Sequence, residues 1–135
     1  PVRRALQSGD GDHRRAGGGE SSVRIVGNVK GRRVVILDDM INTGKTLERT
    51  ARGARMAGAA SVEAYGVHAL LAENAVGRLE QSDLDLVTVT ASVAPSEDAT
   101  ASRFFRSVSI APLLAEAVRR IHYEESVSAI FLKVC

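Results

Sequence analysis

Tryptophan is absent from this 135-residue chain, and three phenylalanines and two tyrosines bring the aromatic share to only 4%. So few aromatic faces leave little for bases to stack on, which argues against a nucleic-acid binder. Charge of one sign is equally scarce. Eighteen basic residues against 16 acidic ones leave a formal charge of +2, and the arginines are scattered along the chain. That balance lacks the basic stripe of a nucleic-acid-binding surface. The single cysteine, Cys135, is the last residue, so no disulfide can form within the chain. A reducing, cytoplasmic setting is therefore expected. No apolar run approaches the roughly 18–20 residues of a membrane span. Residues 1–15 are basic and polar, without the apolar stretch of a secretory signal.

What is present is the balance of a globular domain, with 44% apolar and 25% charged residues. The length suits one domain with a real core. Residues 1–22 differ from the rest: Arg3-Arg4, Asp10-Gly11-Asp12, Arg14-Arg15 and Gly17-Gly18-Gly19 show almost no apolar periodicity. Such a segment buries too little surface to offset its ordering entropy. It reads as a flexible tail or the remnant of a catalytic loop, with residues 23–135 as the domain proper.

From residue 23 onward the pattern alternates between two periods. Residues 23–26 suggest a short strand. Val34-Val35-Ile36-Leu37 is a continuous apolar run, the form of a strand buried on both faces of a parallel sheet, and it stops at Asp38-Asp39. Thr46 is a candidate N-cap, Leu47, Ala51, Ala54 and Ala57 recur at helical spacing, and Gly58 ends that helix. Residues 62–70 form the next expected strand, 74–79 a short helix, 84–90 a third strand and 95–102 a loop. Residues 105–109 read as a fourth strand. Leu113, Leu114, Ala117, Val118 and Ile121 mark one face of a helix starting near Pro112. Strands alternating with helices predict an α/β domain with a mostly parallel sheet flanked by helices.

The chemistry concentrates in Val34-Val35-Ile36-Leu37-Asp38-Asp39-Met40-Ile41-Asn42-Thr43-Gly44-Lys45-Thr46. A strand delivers two carboxylates to its C-terminal end, where open α/β sheets bind ligands. A short loop with two hydroxyls, a glycine and a lysine then opens into a helix, whose first N–H groups and dipole favour an anion. Carboxylates beside a phosphate cradle suit a sugar phosphate: Asp38 and Asp39 for the hydroxyls, the loop for the phosphate. A nucleotide P-loop is excluded, because it needs glycine five positions before Gly44 and Asp39 stands there.

This loop resembles the phosphoribosyl-pyrophosphate loop of the type I phosphoribosyltransferase fold. More narrowly, the chain resembles the C-terminal domain of the ribose-phosphate pyrophosphokinases, the phosphoribosyl-pyrophosphate synthetases. The likeness extends through Val26-Gly27-Asn28-Val29-Lys30-Gly31, Ala64-Tyr65-Gly66-Val67-His68-Ala69-Leu70 and Asn74-Ala75. It closes on the run Ala111-Pro112-Leu113-Leu114-Ala115-Glu116-Ala117-Val118-Arg119-Arg120-Ile121-His122 and on Glu125-Ser126-Val127-Ser128.

That resemblance implies transfer of a diphosphate from ATP to ribose 5-phosphate, with Mg2+, in a homo-oligomer. It assigns Asp38 and Asp39 to the ribose hydroxyls, and Asn42, Thr43, Gly44, Lys45 and Thr46 to the 5-phosphate. Arg14 and Arg15 stand where the family has catalytic arginines. Ser126, Val127, Ser128 and Phe131 match part of its regulatory phosphate or nucleotide site.

Three departures qualify the likeness. Asn42 replaces a usual aspartate, and Lys45 replaces a usual glycine, although purine phosphoribosyltransferases resemble this chain in having lysine there. Asp12-His13-Arg14-Arg15 lacks the lysine of the family's mobile Lys-Arg-Arg loop. No counterpart of the family's ATP-binding N-terminal half is present in these 135 residues, so activity is expected to need it. Two alternatives stand beside this reading: a non-catalytic, associated subunit that binds phosphoribosyl ligands, and a free-standing phosphoribosyltransferase. His68, at a strand end, is either a site-lining or a packed histidine. His122 is expected to complement a helix dipole, and Arg119-Arg120 to form a solvated face.

Overall fold

The computed structural model describes residues 25–133; residues 1–24 and the last two residues lie outside it. The expected strand at 23–26 falls partly outside, and Ile25 and Val26 are not in a strand. The elements run β1 (Arg33–Ile41), α1 (Lys45–Met56), β2 (Ser61–Ala69), α2 (Ala75–Glu80), β3 (Leu86–Thr90), α3 (Glu97–Ala101), β4 (Phe105–Val108) and α4 (Ala111–His122). A 3-10 turn, Val127–Lys133, follows α4. The expected 95–102 loop contains the short α3, whose first turn is capped by the Ser96 hydroxyl accepting from the Ala99 N–H. Serine at that position satisfies an N–H that the helix cannot.

The four strands form one sheet in the order β1-β2-β3-β4, with every pair parallel. Each strand-to-strand connection carries a helix, as parallel neighbours require. The core fills one side of the sheet. Val34, Ile36, Val62, Ala64, Val87 and Val89 are buried with Leu47, Ala51 and Ala54 of α1 and Leu79 of α2. Burying such side chains contributes about 1.5–3 kcal/mol for each of the larger ones. Gly58, at φ +88, ends α1 as its spacing implies, its N–H bonding the Arg55 carbonyl at 2.8 Å.

The other side of the sheet is open. Leu37 is 65% exposed and Val67 45% exposed, so β1 is not buried on both faces as its apolar run implied. The run is continuous because parallel strands are usually covered twice; no described element supplies the second cover. α4 has no buried residue, and Leu114, Val118 and Ile121 lie on its uncovered surface.

The C-terminal end of α4 is joined to the residues after it by charge. Arg119 donates to Glu116 at 2.9 and 3.0 Å and to Glu125 at 2.9 and 3.2 Å. Arg120 donates to Glu116 at 2.7 Å and to the Ser126 carbonyl at 3.0 Å. Arg119 stays exposed, as a solvated face implies, while Arg120 is drawn in by its partners to 13% exposure. His122 is the last residue of α4, where a cation complements the dipole.

β1 carries a second irregularity. Ile36 and Ile41 are both buried, although five residues apart, and the Ile41 Cδ1 lies over Gly66. Strict alternation would put them on opposite faces, so the pleat shifts between Asp38 and Ile41. The strand also continues past the acidic pair, pairing Met40 with His68 and Ile41 with Ala69. A methyl group at Gly66 would sit 2.5 Å from Ile41 Cδ1. Gly66→Ala is therefore expected to lower stability by about 1–3 kcal/mol in chemical denaturation, through overpacking.

A second expectation concerns pH. Hydrogen bonds from Arg119, then from Arg120, bring the Glu116 carboxyl down from its ordinary 4.5 to about 2. A depressed carboxyl stabilises the fold above its unfolded value, and that contribution is lost as pH falls through about 2. A carboxyl-carbon NMR titration should give a Glu116 midpoint near 2 in the parent chain. In an Arg119→Ala, Arg120→Ala chain the midpoint should return toward the ordinary carboxylate range.

Candidate functional site

The C-terminal end of β1 and the N-terminal end of α1 meet across three residues, 42–44. Asp38 is half-buried opposite Gly66, and Asp39 is exposed one residue further along. Both stand where the pleat shifts, so the acidic pair occupies an irregular strand end rather than a free turn.

The turn into α1 depends on Gly44, which is buried at φ +74 and occupies the N-cap position. This corrects the expected Thr46 cap: Thr46 lies inside the helix, and its carbonyl accepts the Thr50 hydroxyl at 2.8 Å. Glycine wins the position on two counts. Its φ lies in the left-handed region, which other residues occupy at a cost. A Cβ there would also sit 2.9 Å from Leu79 Cγ, in the core beneath. No side chain caps the helix. Its first N–H groups are thereby left for an anion, at the positive end of the dipole.

Around this opening stand exposed Asn42, half-buried Thr43, and exposed Lys45 and Thr46. The loop is braced from the side by the segment after β2. The Ile41 carbonyl accepts the Leu70 and Leu71 N–H groups at 2.9 and 3.2 Å, and the Asn42 carbonyl accepts that of Ala72 at 3.0 Å. The Lys45 ammonium lies 3.7 Å from the Glu73 carboxylate. Leu71 and Glu73 both have left-handed backbones, at φ +48 and +58. Nothing in the sequence singled out Glu73, because its role arises from a loop 28 residues away folding back onto Lys45.

His68 lies one strand over, paired with Met40. The Ser92 hydroxyl donates to the Val67 carbonyl at 2.9 Å and lies 2.9 Å from His68 Nδ1. Beyond it, Leu71, Val89, Pro95, Ala99 and Phe105 line a cleft of about 160 Å³ between α3 and the strand ends.

The structure brings Asp38, Asp39, Asn42, Thr43, Gly44, Lys45 and Thr46 together. The remaining expected residues are elsewhere. Ser126 and Ser128 share a hydrogen bond of 2.9 Å beside α4, and Phe131 is exposed. No described hydrogen bond or ion pair links Ser126, Val127, Ser128 or Phe131 to the β1–α1 loop. Arg14 and Arg15, and His13 beside them, lie outside the described residues. No group of three or more potential metal ligands occurs among the described residues. No helix among them is long and apolar enough to cross a membrane.

The Gly44 geometry makes a direct expectation. Gly44→Ala combines a left-handed backbone penalty with a clash against Leu79. Its denaturation midpoint should fall, by about 1–3 kcal/mol of stability, and amide NMR shifts should change in both the 42–46 loop and α2.

Comparison with known proteins places these features. A family model described as "Phosphoribosyl synthetase-associated domain" matches residues 16–132. The ribose-phosphate pyrophosphokinase of Hyphomonas neptunium is 46% identical over 121 residues, covering 89% of this chain and 39% of that protein. Its counterpart in Nitrosomonas europaea is 43% identical over 123 residues, 90% of this chain and 39% of the relative. The chain thus spans about two-fifths of the length of these relatives. The crystal structure of phosphoribosylpyrophosphate synthetase from Mycobacterium smegmatis superposes with a TM-score of 0.71 at 35% identity, covering 75% of this chain and 34% of that one. The chain therefore belongs to the phosphoribosyl synthetase-associated domain family, with ribose-phosphate pyrophosphokinases as its relatives.

Proposed function

We propose that this chain is the ribose 5-phosphate-binding part of a ribose-phosphate pyrophosphokinase, which forms 5-phosphoribosyl 1-diphosphate from ATP when the remaining portion of such an enzyme is present. The observation that carries the reading is the uncapped N-terminus of α1, opened by left-handed Gly44 beside Lys45 and directly beyond Asp38 and Asp39. The 5-phosphate takes the first N–H groups of α1, the Thr43 and Thr46 hydroxyls and the Lys45 ammonium, an arrangement of charge-assisted donors. Asp38 and Asp39 accept from the ribose hydroxyls. Asn42 keeps a polar side chain but lacks the charge of the family's usual aspartate, which weakens a contact to the sugar or to an activating ion.

In this role the chain positions the sugar so that its anomeric hydroxyl faces the nucleotide. Orientation and charge placement are the main contributions a protein makes to phosphoryl-type transfer. Arg14 and Arg15 belong to the same proposal as cationic groups near the transferred phosphates. Mg2+ typically takes one or two protein carboxylates and completes its shell with substrate phosphate and water. Its protein ligands would come mostly from the remaining portion of the enzyme, and the ion would supply charge neutralisation on the nucleotide phosphates. ATP and further subunits complete the assembly.

A second reading, a non-catalytic subunit that keeps the ligand site, is favoured by the description of the matching family. Both readings share the sugar-phosphate site and part at turnover.

Calorimetric titration with ribose 5-phosphate is expected to show saturable binding. An Asp38→Asn, Asp39→Asn chain should bind at least about tenfold more weakly, since hydrogen bonds to charged groups are worth roughly 1.5–3 kcal/mol. Absence of binding in the parent chain would refute the site. Chromatographic detection of 5-phosphoribosyl 1-diphosphate, with ATP and Mg2+ added to the complex with an N-terminal portion of a relative, separates the two readings.

A further inference from the structure

We propose that Glu73 sets the phosphate affinity of this site by acting as a built-in competing anion, its carboxylate occupying the Lys45 ammonium until an incoming phosphate displaces it. The inference rests on the reading that the 42–46 loop holds the 5-phosphate.

Three observations converge on Glu73. First, Lys45 is the opening residue of α1, a position where a cation opposes the positive end of the helix dipole. A lysine there is electrostatically uncomfortable without an anion, and the Glu73 carboxylate at 3.7 Å is the anion it has. Second, Glu73 is held in place by backbone geometry that glutamate does not favour. Its φ of +58, with Leu71 at +48, keeps two non-glycine residues left-handed within three positions. Strain of this kind persists where surrounding contacts over-determine it. Here the bonds from Leu70, Leu71 and Ala72 to the Ile41 and Asn42 carbonyls pin the segment to the phosphate loop. Third, the pair is open to solvent: the Lys45 and Glu73 side chains are 55% and 58% exposed. An exposed pair at this separation is weak, so a phosphate dianion backed by helix N–H groups can displace it.

The ion pair therefore lowers affinity without closing the site. A free phosphate must release Lys45 from Glu73 before using it. The segment that carries Glu73 also supplies Leu71 to the neighbouring cleft, so the competitor sits on a loop shared by both features.

The test is a double-mutant cycle in calorimetry, using orthophosphate and ribose 5-phosphate as probes on the full chain. Glu73→Gln should tighten both ligands about two- to fivefold, the range for removing a weak exposed ion pair. Glu73→Gly should do the same with no fall in thermal midpoint, because glycine accepts the left-handed backbone. In a Lys45→Ala background the gain should shrink toward none, since there is no ammonium left to compete for. Unchanged affinity in Glu73→Gln and Glu73→Gly overturns the proposal. So does an equal gain with and without Lys45, which would make Glu73 a general repulsive charge. If no variant and not the parent chain binds either probe, the sugar-phosphate reading itself fails and takes this inference with it.

Discussion

The close approach of α1 to the end of β1 is the constraint on which the rest of the site depends. It requires a left-handed, side-chain-free residue at Gly44, because Leu79 of α2 fills the space where a Cβ would go. The same leucine is wholly buried against the core that joins α1 to the sheet. One contact thus serves two purposes. It closes the hydrophobic layer, and it leaves the first turn of α1 uncapped and facing outward beside two carboxylates. The opening at the start of α1 is a consequence of packing under the loop as much as of the polar residues on it.

The sheet shows what that layer leaves undone. Four parallel strands are covered on one side by the buried faces of α1 and α2, while Leu37 and Val67 on the other side remain accessible. Parallel sheets are normally covered twice. The open face and the unburied stripe of α4 therefore suit a chain that aligns with about two-fifths of longer relatives. The ion pairs of Arg119 and Arg120 with Glu116 and Glu125 tie the last turn of α4 to the residues that follow it.

Much of the architecture was legible in the residues. The apolar run at 34–37 marked a parallel strand because such strands have few polar positions, and strands were legible at 62–70 and 84–90 as well. Gly58 marked the end of α1 because few other residues accept its backbone. The acidic pair and the Thr-Gly-Lys-Thr run marked the candidate site, since carboxylates and donors at a strand-to-helix junction have few other uses. The errors had physical causes as well. Thr46 looked like a cap because threonine often is one, but the tight turn needed glycine two residues earlier. The short helix at Glu97–Ala101 was hidden in a polar stretch whose only signal was Ser96.

By itself, then, the sequence determined the alternation of strand and helix, the position of the candidate loop between β1 and α1 and the family likeness. These are encoded locally, in apolar periodicity and in residues whose backbone or charge permits few alternatives. Tertiary structure alone decided that β1 runs through the acidic pair, that Ile41 folds over Gly66, and that Glu73 reaches Lys45. It also decided that one face of the sheet stays open. Each of those outcomes depends on which distant segment comes to lie against which, and no local pattern carries that information.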